Sequence, residues 1–598
     1  MRDIPPGIQY LVKWSPRIVS PPIIAYIVGR ILSSAYDVRV SVWIMALWML
    51  ASLPLALTAA VLWDELYVHL DAARMGAVMP PRVGDPYPGG FMGLINNIKA
   101  FKTGYPADGF QELSKRLGGY TFNRRVLFEN RIITAEPEHI KAILATQFDD
   151  FEKGPETRFL FYPLLGTGVF AADGELWKFH RSMTRPFFSK DRISHFDNFD
   201  RHAEAAITQL KHRQAEGFPV DFQDLVARFT LDSATEFLFG NDVGSLSGEL
   251  PYPYYASSNP SNEKSSTDNH RASRFVSAFT EAQSVTAFRM RFGVHWPFAE
   301  FWHDKLKKPM GVVHSFIDPI VAEAIKKKRE LADSGVVNKD RDDETLLENL
   351  VNSTEDPITL RDEIMSLLVA GRDTTASTLT FTVYMLAEHP EFLRRLRQEI
   401  LEKVGPQRRP TYDDFRDMKY LRAVINETLR LYPVVPFNVR TSKQATTWPN
   451  PKGKPFYIPA NTRTPYAVFM MHRRTDLWGP DALEFDPDRF LDERLHKYLT
   501  PNPFIFLPFN AGPRICLGQQ FAYHEASFFL VRLLQTFSDI SLVPDAQPPA
   551  SRPPAEWAED KKGRKGREKI RPRTHLTMYV QDGLWVSMKE ARLGEDGA

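Results

Sequence analysis

The longest uncharged run of the chain lies near its amino terminus. Ser41 to Trp63 are 23 consecutive residues without a charged side chain, and most of them are apolar. A helix of that length rises about 35 Å, which is enough to cross a bilayer core of about 30 Å. Trp43 lies near one end, where aromatic rings favour the membrane interface. The pattern predicts a transmembrane helix over 41–63, followed by a Pro- and Gly-rich linker over 64–90.

A second apolar stretch, Ile18–Leu32, precedes this run and is interrupted by Pro21, Pro22 and Arg30. These interruptions favour a segment in the membrane interface, so residues 1–40 are interpreted as interfacial. Cations precede the longer run, and by the positive-inside rule they favour a cytosolic amino terminus. One span would then put the rest of the chain on the far side, whereas a second crossing would form a hairpin and keep it cytosolic. The sequence leaves the orientation open.

After the linker, the pattern is that of one mixed domain over 91–598, mainly α with small β-sheets. Two stretches break the periodicity and are predicted to be inserted loops. One covers 241–270, and the other, Pro-rich and then basic, covers 544–572 and is predicted to be a solvated loop. Beyond them, the sequence THLTMYV-QDG-LWVSM predicts a β-hairpin that turns at Asp582 and Gly583.

The composition narrows the classes of function. The chain has 598 residues, 43% of them hydrophobic, and a formal charge of +2. This near-neutral charge argues against a general affinity for polyanions, so nucleic acid is not expected as a partner. The single cysteine, Cys516, excludes an intrachain disulfide framework and any Cys-rich zinc or iron–sulfur site. Because a lone cysteine is most often a small buried hydrophobe, its neighbourhood must decide its role.

Cys516 lies in the run Phe509-Asn-Ala-Gly-Pro-Arg-Ile-Cys-Leu-Gly518, and a helical pattern follows it up to Phe537. Gly512 and Gly518 let the backbone turn tightly and approach a flat ligand. The cysteine stands at the start of the helix, where free N–H groups and the positive end of the helix dipole favour a thiolate. A thiolate in such a loop is the electron-donating axial ligand that suits a ferric porphyrin.

This ten-residue pattern resembles the heme-binding loop of the cytochrome P450 superfamily, and the resemblance extends from about Gly90 to Met588. It implies the cytochrome P450 fold behind an amino-terminal membrane anchor, with Cys516 as the thiolate ligand of the iron of heme b. Further residues match family positions that contact the cofactor. These are Phe509, Gly512 and Gly518 in the loop, and Trp177, Arg181, Arg440 and Arg514 at the heme propionates.

A second motif, AGRDTT over Ala370–Thr375, lies inside a helical pattern of about 360–389. Glycine followed by threonines is unfavourable in mid-helix. A hydroxyl can, however, take over a backbone hydrogen bond and open a local groove. The resemblance implies that Asp373 and Thr374 are the acid and the alcohol that deliver protons to bound dioxygen.

A third motif combines Glu427 and Arg430, which share one helix face, with Arg489 in the run FDPDRF. Alone, such a pair is most often a solvated surface feature. The resemblance implies that these three residues form a buried cluster that holds the fold near the heme loop. Their predicted role is structural rather than catalytic, because a buried charged network is costly unless it is complete.

Together the motifs imply a membrane-bound monooxygenase that inserts one atom of O2 into a C–H bond of a lipophilic substrate. Electrons are expected from NADPH–cytochrome P450 reductase in trans, because too few residues follow the Cys516 region for a flavin domain. Membrane lipid is a further expected contact, and the expected location is the endoplasmic reticulum membrane with a cytosolic catalytic domain. A heme-thiolate isomerase or sensor would not need the Asp373–Thr374 pair, and a tethered protein with an inert cysteine would bind no heme.

The expected substrate is a long-chain fatty acid or an alkane, because the sequences GQQFAYHEA and ETLRLYPVVPFNVR look most like those of fungal alkane and fatty-acid hydroxylases. Terpenoid and aromatic compounds are the alternatives. Three apolar segments are expected to line the pocket: Phe159–Ala171, Leu367–Ala370 and Val434–Phe437. A basic face for an acidic reductase is expected at Lys178, Arg185 and Lys190, with an ordinary solvated face as the alternative.

Overall fold

The structure is a computed structural model that describes residues 4–85, 88–188, 196–256, 271–334, 345–561 and 563–592. Its α-helices are α1 Pro6–Ala35, α2 Val42–Arg74, α3 Phe91–Thr103, α4 Phe110–Leu117, α5 Pro137–Lys141, α6 Gly154–Leu165, α7 Gly174–Thr184, α8 Asp197–Ala215, α9 Phe222–Phe239, α10 Arg271–Phe292, α11 Lys307–Ser334, α12 Leu346–Ser353, α13 Pro357–Glu388, α14 Pro390–Lys403, α15 Tyr412–Asp417, α16 Lys419–Leu431, α17 Val468–Met471, α18 Thr475–Trp478 and α19 Gln519–Thr536.

The β-strands are short. They are β1 Thr121–Val126, β2 Glu129–Thr134, β3 Phe151–Glu152, β4 Val220–Asp221, β5 Phe437–Ser442, β6 Thr446–Trp448, β7 Phe456–Ile458, β8 Arg463–Ala467, β9 Phe537–Leu542, β10 Pro572–Thr574, β11 Met578–Val580 and β12 Trp585–Glu590. One sheet has five strands in the order β1-β2-β8-β5-β3, and another has three in the order β4-β12-β9. Two strand pairs, β10-β11 and β6-β7, complete the described set. The prediction of a mainly α fold with small sheets is confirmed.

The two amino-terminal helices α1 and α2 are both long and apolar enough to cross a membrane by length and composition. Most of their apolar side chains are exposed, and water would not favour that surface. Trp48 on α2 donates a hydrogen bond of 3.0 Å from Nε1 to the carbonyl of Ala25 on α1, which joins the two helices. The pair is compatible with a membrane anchor. The stretch Ile18–Leu32, expected to be interfacial, thus belongs to one continuous helix with spanning length.

Both free ends of this helix pair contact the domain that follows it. The N–H of Gly7 on α1 donates to the carbonyl of Phe301 at 2.9 Å, between α10 and α11. On α2, Val68 and Ala72 pack in an apolar cluster with Tyr457 of β7. If both helices cross the membrane, the amino terminus and the domain after α2 therefore lie on the same side.

The helix α2 continues past the predicted boundary at Trp63 and ends only at Arg74. Its last turns contact the domain that follows, since Glu65 lies 3.0 Å from the guanidinium of Arg125. Beyond the helix, the carbonyl of Val78 accepts a 2.7 Å hydrogen bond from the Tyr457 N–H of β7. The predicted linker over 64–90 thus differs from the structure, because tertiary contacts extend the helix and fix the chain after it.

The helix α13 passes through the centre of the domain. Its 32 residues correspond to about 48 Å of length. Asp356 caps its start by accepting hydrogen bonds from the N–H groups of Ile358 and Thr359, and Pro357 occupies the first helical position. The second half of α13 lies in the largest apolar cluster together with α9 and α19, where the rings of Phe229 and Phe529 are 4.6 Å apart.

The predicted β-hairpin around Asp582 and Gly583 is wrong in its pairing. Both residues have positive φ and form the turn, but β11 pairs with β10, and β12 pairs with β4 and β9. The side chain of Gln223 explains the difference. It accepts from the N–H of Val580 at 2.7 Å and donates to the carbonyl of Val580 at 2.9 Å, in place of a hairpin partner.

The segment 544–572 is not the solvated loop that its composition predicted. It folds into short 3-10 turns and buries Trp557, Arg564 and Glu568. The carboxylate of Glu568 accepts hydrogen bonds from the hydroxyl groups of three buried tyrosines, Tyr105, Tyr384 and Tyr432. Because the paired Arg564 and Glu568 satisfy each other and these hydroxyls, charged residues are tolerated in the core.

The other predicted insert, 241–270, is described only up to residue 256, and the remainder lies outside the described residues. The described part is attached to α9. The buried carboxylate of Asp232 accepts hydrogen bonds of 2.8 Å from the N–H groups of both Ser245 and Leu246. This part of the insert therefore packs on the domain.

Candidate functional site: the Cys516 loop and its surroundings

The loop that precedes α19 presents Cys516. The N–H of Cys516 donates to the carbonyl of Phe509 at 3.0 Å, which closes the loop on itself. The Phe509 ring lies 5.0 Å from the ring of Tyr523 on α19 and so fixes the loop to that helix. Gly518 is the residue that caps α19. The sequence prediction of a cysteine at a helix start agrees with this arrangement.

Gly512 allows the loop to pass very close to the chain that follows α5. Its φ is +71°, and a Cβ atom at this position would lie 1.8 Å from the carbonyl oxygen of Leu144. No other residue fits there without moving backbone. A Cβ at Gly518 would meet only the Phe188 ring at 3.5 Å, an ordinary contact. Position 512 therefore requires glycine, because a Cβ atom would collide with the backbone. At position 518 a Cβ atom would fit.

The side chain of Cys516 is accessible to solvent, yet the protein around it desolvates the thiol and raises its pKa. Two neighbours oppose the effect of burial and lower the thiol pKa, namely the N–H of Gly518 and the charge of Arg181. Burial outweighs these two effects and the thiol pKa stays above its ordinary value, so the thiolate form would depend on coordination to a metal ion.

Arginines from two elements flank the loop. Arg514 donates to the carbonyl of Ala172 at 3.0 Å and lies 2.8 Å from the carboxylate of Asp173, while its guanidinium stacks 4.5 Å from the Trp177 ring. Arg181 on α7 donates to the carbonyl of Ile515 at 2.9 Å. The structure thus brings together three predicted cofactor-binding residues, Trp177, Arg181 and Arg514.

Arg440 on β5 joins this group, and Lys153 is a member that the sequence did not predict. Strand β3 ends at residue 152 and pairs with β5, which places Lys153 beside Arg440. Burial, and then the charges of Arg440 and Arg514, hold the pKa of Lys153 well below its ordinary value. Burial and Arg440 also lower the pKa of Arg514, to about 10. The cations thus repel one another around the carboxylate of Asp173.

This charge distribution fits a ligand that carries two carboxylates. Heme propionates would relieve the repulsion among Lys153, Arg440 and Arg514 in a way that Asp173 alone does not, since Asp173 also lies 2.8 Å from Arg158. The accessible thiol of Cys516, two residues after Arg514, would supply a sulfur donor to the iron. The residues present therefore suit a thiolate-ligated heme.

On α13, the Thr374 hydroxyl donates to the carbonyl of Ala370 at 2.5 Å, and Thr378 donates in the same way to Thr374 at 2.9 Å. The helix nevertheless stays regular over its whole length, so the expected groove is not a break in the helix. Asp373 lies 3.1 Å from Arg372 through one carboxylate oxygen. Its other oxygen, Oδ2, is buried without a hydrogen-bond partner among the described residues.

His575, at the β10–β11 turn, is a second group that sequence reasoning missed. Burial lowers the pKa of His575 to about 4, against an opposing effect of Asp373. The ring stacks on Tyr579 at 4.7 Å, and its Nδ1 accepts the N–H of Leu576 at 2.8 Å. The sequence could not predict this, because nothing around a single histidine in a predicted hairpin indicates that it lies near Asp373 of α13.

Glu427, Arg430 and Arg489 form one fully buried cluster. Both carboxylate oxygens of Glu427 accept hydrogen bonds of 2.7 Å from Arg430, and the guanidinium of Arg489 lies 3.6 Å from the same carboxylate. Arg430 also donates to the carbonyls of His472 and Ala482. These contacts join α16 to the segment before the Cys516 loop.

The remaining predicted surfaces are partly described. Lys178 is exposed and lies 2.7 Å from Glu175, Arg185 is exposed, and Lys190 is outside the described residues. In the apolar segments, Phe159, Phe170, Val435 and Phe437 keep exposed surface, whereas Leu368, Val369 and Val434 are buried.

The fold and the site together define a mainly helical protein with small sheets, two amino-terminal apolar helices compatible with a membrane anchor, and a cysteine loop flanked by arginines. A family model described as Cytochrome P450 matches residues 84–558. "Cytochrome P450 monooxygenase g430" of Fusarium sp is 37% identical over 473 residues, which cover 77% of this chain and 79% of that protein. "Cytochrome P450 52A12" of Debaryomyces hansenii is 35% identical over 536 residues, covering 88% and 95%. "Cytochrome P450 52A9" of Candida maltosa is 36% identical over 522 residues, covering 83% and 90%.

The chain belongs to the cytochrome P450 family. It is a monooxygenase, and the expectation drawn from the Cys516 loop is confirmed at this level. Members of the family generally have a thiolate-ligated heme, take electrons from a redox partner and act on lipophilic substrates.

Proposed function

We propose that this protein hydroxylates a long-chain fatty acid or alkane at the endoplasmic reticulum membrane, using O2 and electrons from NADPH–cytochrome P450 reductase. The supporting observation is the position of the exposed Cys516 thiol beside the Lys153, Arg440 and Arg514 group. The substrate class is inferred from the resemblance of the sequence to fungal alkane and fatty-acid hydroxylases. Terpenoid and aromatic compounds are the competing substrates.

Heme b is the proposed cofactor, and its chemistry when bound is the reductive activation of dioxygen. Cys516 would bind the iron as thiolate, with Arg181 and the Gly518 N–H stabilising the negative sulfur. Arg514, Arg440 and Lys153 would bind the propionates, and Trp177 would keep the Arg514 guanidinium in place by stacking. These contacts also reduce the repulsion among the cations that share this part of the domain.

Proton delivery is proposed for Thr374 and Asp373. The Thr374 hydroxyl proton is held by the Ala370 carbonyl, so its transfer requires the hydroxyl to turn away from that carbonyl. The buried Oδ2 of Asp373 has no hydrogen-bond partner among the described residues and is placed to accept and release a proton. Arg372 holds the other oxygen at 3.1 Å and keeps the carboxylate oriented.

The anchor favours a substrate that partitions into lipid. Phe159, in one predicted pocket segment, stacks 6.5 Å from Trp296, and Lys13 of α1 lies 5.8 Å from the Phe159 ring. This pocket segment therefore lies beside the anchor helix, where a lipophilic molecule would leave the membrane. Because both ends of the helix pair join the catalytic domain, we also propose two crossings, with the amino terminus and the domain in the cytosol.

The test uses the full chain in microsomes together with NADPH–cytochrome P450 reductase. Laurate, palmitate and hexadecane are supplied in parallel with a terpenoid and an aromatic probe, and NADPH consumption and hydroxylated products are measured. The proposal predicts product from the long-chain compounds with a matched use of NADPH. Product from the terpenoid or aromatic probe alone would overturn the substrate class, and NADPH-independent turnover would overturn the reductase.

A further inference from the structure

Two adjacent acidic residues on α13 hold the loop that follows α6. The Asp362 carboxylate accepts from the N–H of Thr167 at 2.8 Å and from its hydroxyl at 3.1 Å. Glu363 accepts from the N–H of Val169 at 3.1 Å. Two alternate amides of one loop, those of Thr167 and Val169, are therefore bound by two adjacent side chains of one helix.

The loop reaches α13 only because two of its residues lack side chains. Gly166 has a φ of +53°, and a Cβ there would lie 2.0 Å from the carboxylate of Asp362. A Cβ at Gly168 would lie 2.5 Å from the Asp362 carbonyl and 2.4 Å from the hydroxyl of Ser366. The segment Gly166–Gly168 can therefore pack directly on α13 because neither glycine carries a Cβ atom.

Glu363 is fully buried, and so is the residue that faces it from α7. His180 Nδ1 lies 2.9 Å from the Glu363 carboxylate, and the side chains of both residues are inaccessible to solvent. A buried carboxylate is costly unless charge or hydrogen bonds compensate it. A neutral residue could fill the same space. The Glu363 carboxylate instead accepts a hydrogen bond from one loop amide and lies beside one histidine.

The same loop is held at its other end by the Cys516 loop. The carbonyl of Gly168 accepts from the N–H groups of Ala171 and Ala172, and the carbonyl of Ala172 accepts from Arg514 at 3.0 Å. Glu363 precedes the Thr374 position by 11 residues, or about 16 Å along the helix. The loop therefore spans from α13 to the cysteine loop, and Phe170, which lies between the two attachments, keeps 38% of its surface exposed.

We propose that Asp362 and Glu363 are positioning residues that fix the Thr167–Phe170 loop against α13 and so determine which carbon of a long-chain substrate is hydroxylated. This inference rests on the proposed function for its substrate. Neither carboxylate takes part in the reaction. Each acts through the loop backbone, and Phe170 presents the apolar surface that the substrate meets.

The experiment uses the full chain with bound heme and reductase. In Glu363→Ala and Asp362→Ala, the loop amides lose their acceptors. In Glu363→Gln, a neutral oxygen still accepts from Val169. The matched control is Asp356→Ala, which removes an acidic residue from the same helix but only from its N-cap. The measurements are the positions of hydroxyl groups on laurate and palmitate, KM, kcat and the amide exchange of Val169.

Both alanine variants are expected to spread the product over more carbon positions, to raise KM about five- to tenfold with a smaller change in kcat, and to speed Val169 exchange. Glu363→Gln should restore most of the parent product ratio. Asp356→Ala should lower the melting temperature and leave the ratio unchanged. An unchanged ratio in both alanine variants that hold full heme would overturn the proposal, as would an equal change in Asp356→Ala.

Failure of the proposed function gives a different result. If the parent protein oxidises neither laurate nor palmitate, the proposed substrate class has failed. The positioning role is then decided on the product ratio of the terpenoid or aromatic probe that the parent does oxidise, and on Val169 exchange. If an alanine variant does not fold, Glu363→Asp, which shortens the side chain and keeps its charge, takes its place with the same expected spread of products.

Discussion

Arg181 donates a hydrogen bond of 2.9 Å to the carbonyl of Ile515, the residue immediately before Cys516. The bond joins α7 to the cysteine loop across 334 residues of sequence. It also brings a positive charge whose effect opposes the rise that burial causes in the pKa of the Cys516 thiol. One side chain therefore both holds the loop and partly offsets the effect of burial on the thiol.

Replacing Arg181, with a surface lysine replaced as the control, tests whether these contacts matter beyond the loss of one positive charge. Arg181→Gln should speed heme loss by about tenfold, because a hydrogen bond from a charged group and the charge beside the sulfur are both removed. The measurement is the rate of heme transfer to an excess of a heme-binding acceptor protein. Lys178→Gln, on the same helix and ion-paired with the exposed Glu175, is the control and should leave the rate unchanged. Equal rates in Arg181→Gln and the parent would contradict the account.

Thr374→Ala should uncouple electron use from product formation. NADPH consumption should persist, hydroxylated product should fall about tenfold or more, and hydrogen peroxide should rise, since the proton donor is lost. Thr378→Ala is the matched control, because its hydroxyl makes the same type of helix hydrogen bond one turn later. Parent-like coupling in Thr374→Ala, or equal uncoupling in both variants, would refute the role of Thr374.

Removal of Glu427 should destabilise the holoprotein. Glu427→Ala leaves Arg430 fully buried without its carboxylate, at a cost of about 3–5 kcal/mol, whereas Arg489 keeps Asp481 at 2.9 Å. We expect a large loss of folded, heme-containing protein, measured as the yield of heme per polypeptide and as the melting temperature. Glu427→Gln keeps acceptor capacity and should fall between the two. A melting temperature for Glu427→Ala close to that of the parent would show that the cluster does not stabilise the fold.

Glu525 predicts a pH dependence of stability. Burial raises the pKa of this α19 carboxyl to about 7, although Ser233 donates to it at 2.7 Å. In the unfolded chain its pKa is about 4.3, so unfolding releases a proton between these values and stability falls as pH rises from about 4 to 7. The full penalty, about 3–4 kcal/mol, is present above pH 7 and absent below about pH 4.

Glu525→Gln should remove this penalty while keeping the shape of the side chain. Its melting temperature should exceed that of the parent at pH 8, and the difference should shrink at pH 5. Glu402→Gln on the surface of α14 is the control and should show no such change between the two pH values. A constant difference for Glu525→Gln across pH would mean that the carboxyl is ionised in the folded protein.

Local patterns explain what the sequence could predict. The loop around Cys516 and the long helix α13 are continuous stretches of sequence. Their glycines, threonines and flanking prolines predict the local conformation of the backbone. The residues Trp177, Arg181 and Arg514 could be placed near the cysteine only through the family resemblance, because nothing in their spacing reports contacts between α7 and a loop more than 300 residues later.

Contacts between distant segments explain what the sequence missed. Lys153 reaches the cation group through the pairing of β3 with β5, and no local pattern around it indicates that pairing. The basic stretch near 564 looked solvated because burial of Arg564 and Glu568 depends on tyrosines from three other parts of the chain. The turn at Asp582 was correct, but Gln223 replaces the expected strand partner.

The central claim is that Cys516 binds heme iron as a thiolate. The most direct test is the difference spectrum of the reduced, CO-bound full chain, with Cys516→Ser measured beside it. We predict the strongly red-shifted Soret band of thiolate-ligated heme for the parent and loss of that band for Cys516→Ser. A folded parent protein that shows no such band, or a Cys516→Ser variant that retains it, would contradict the assignment.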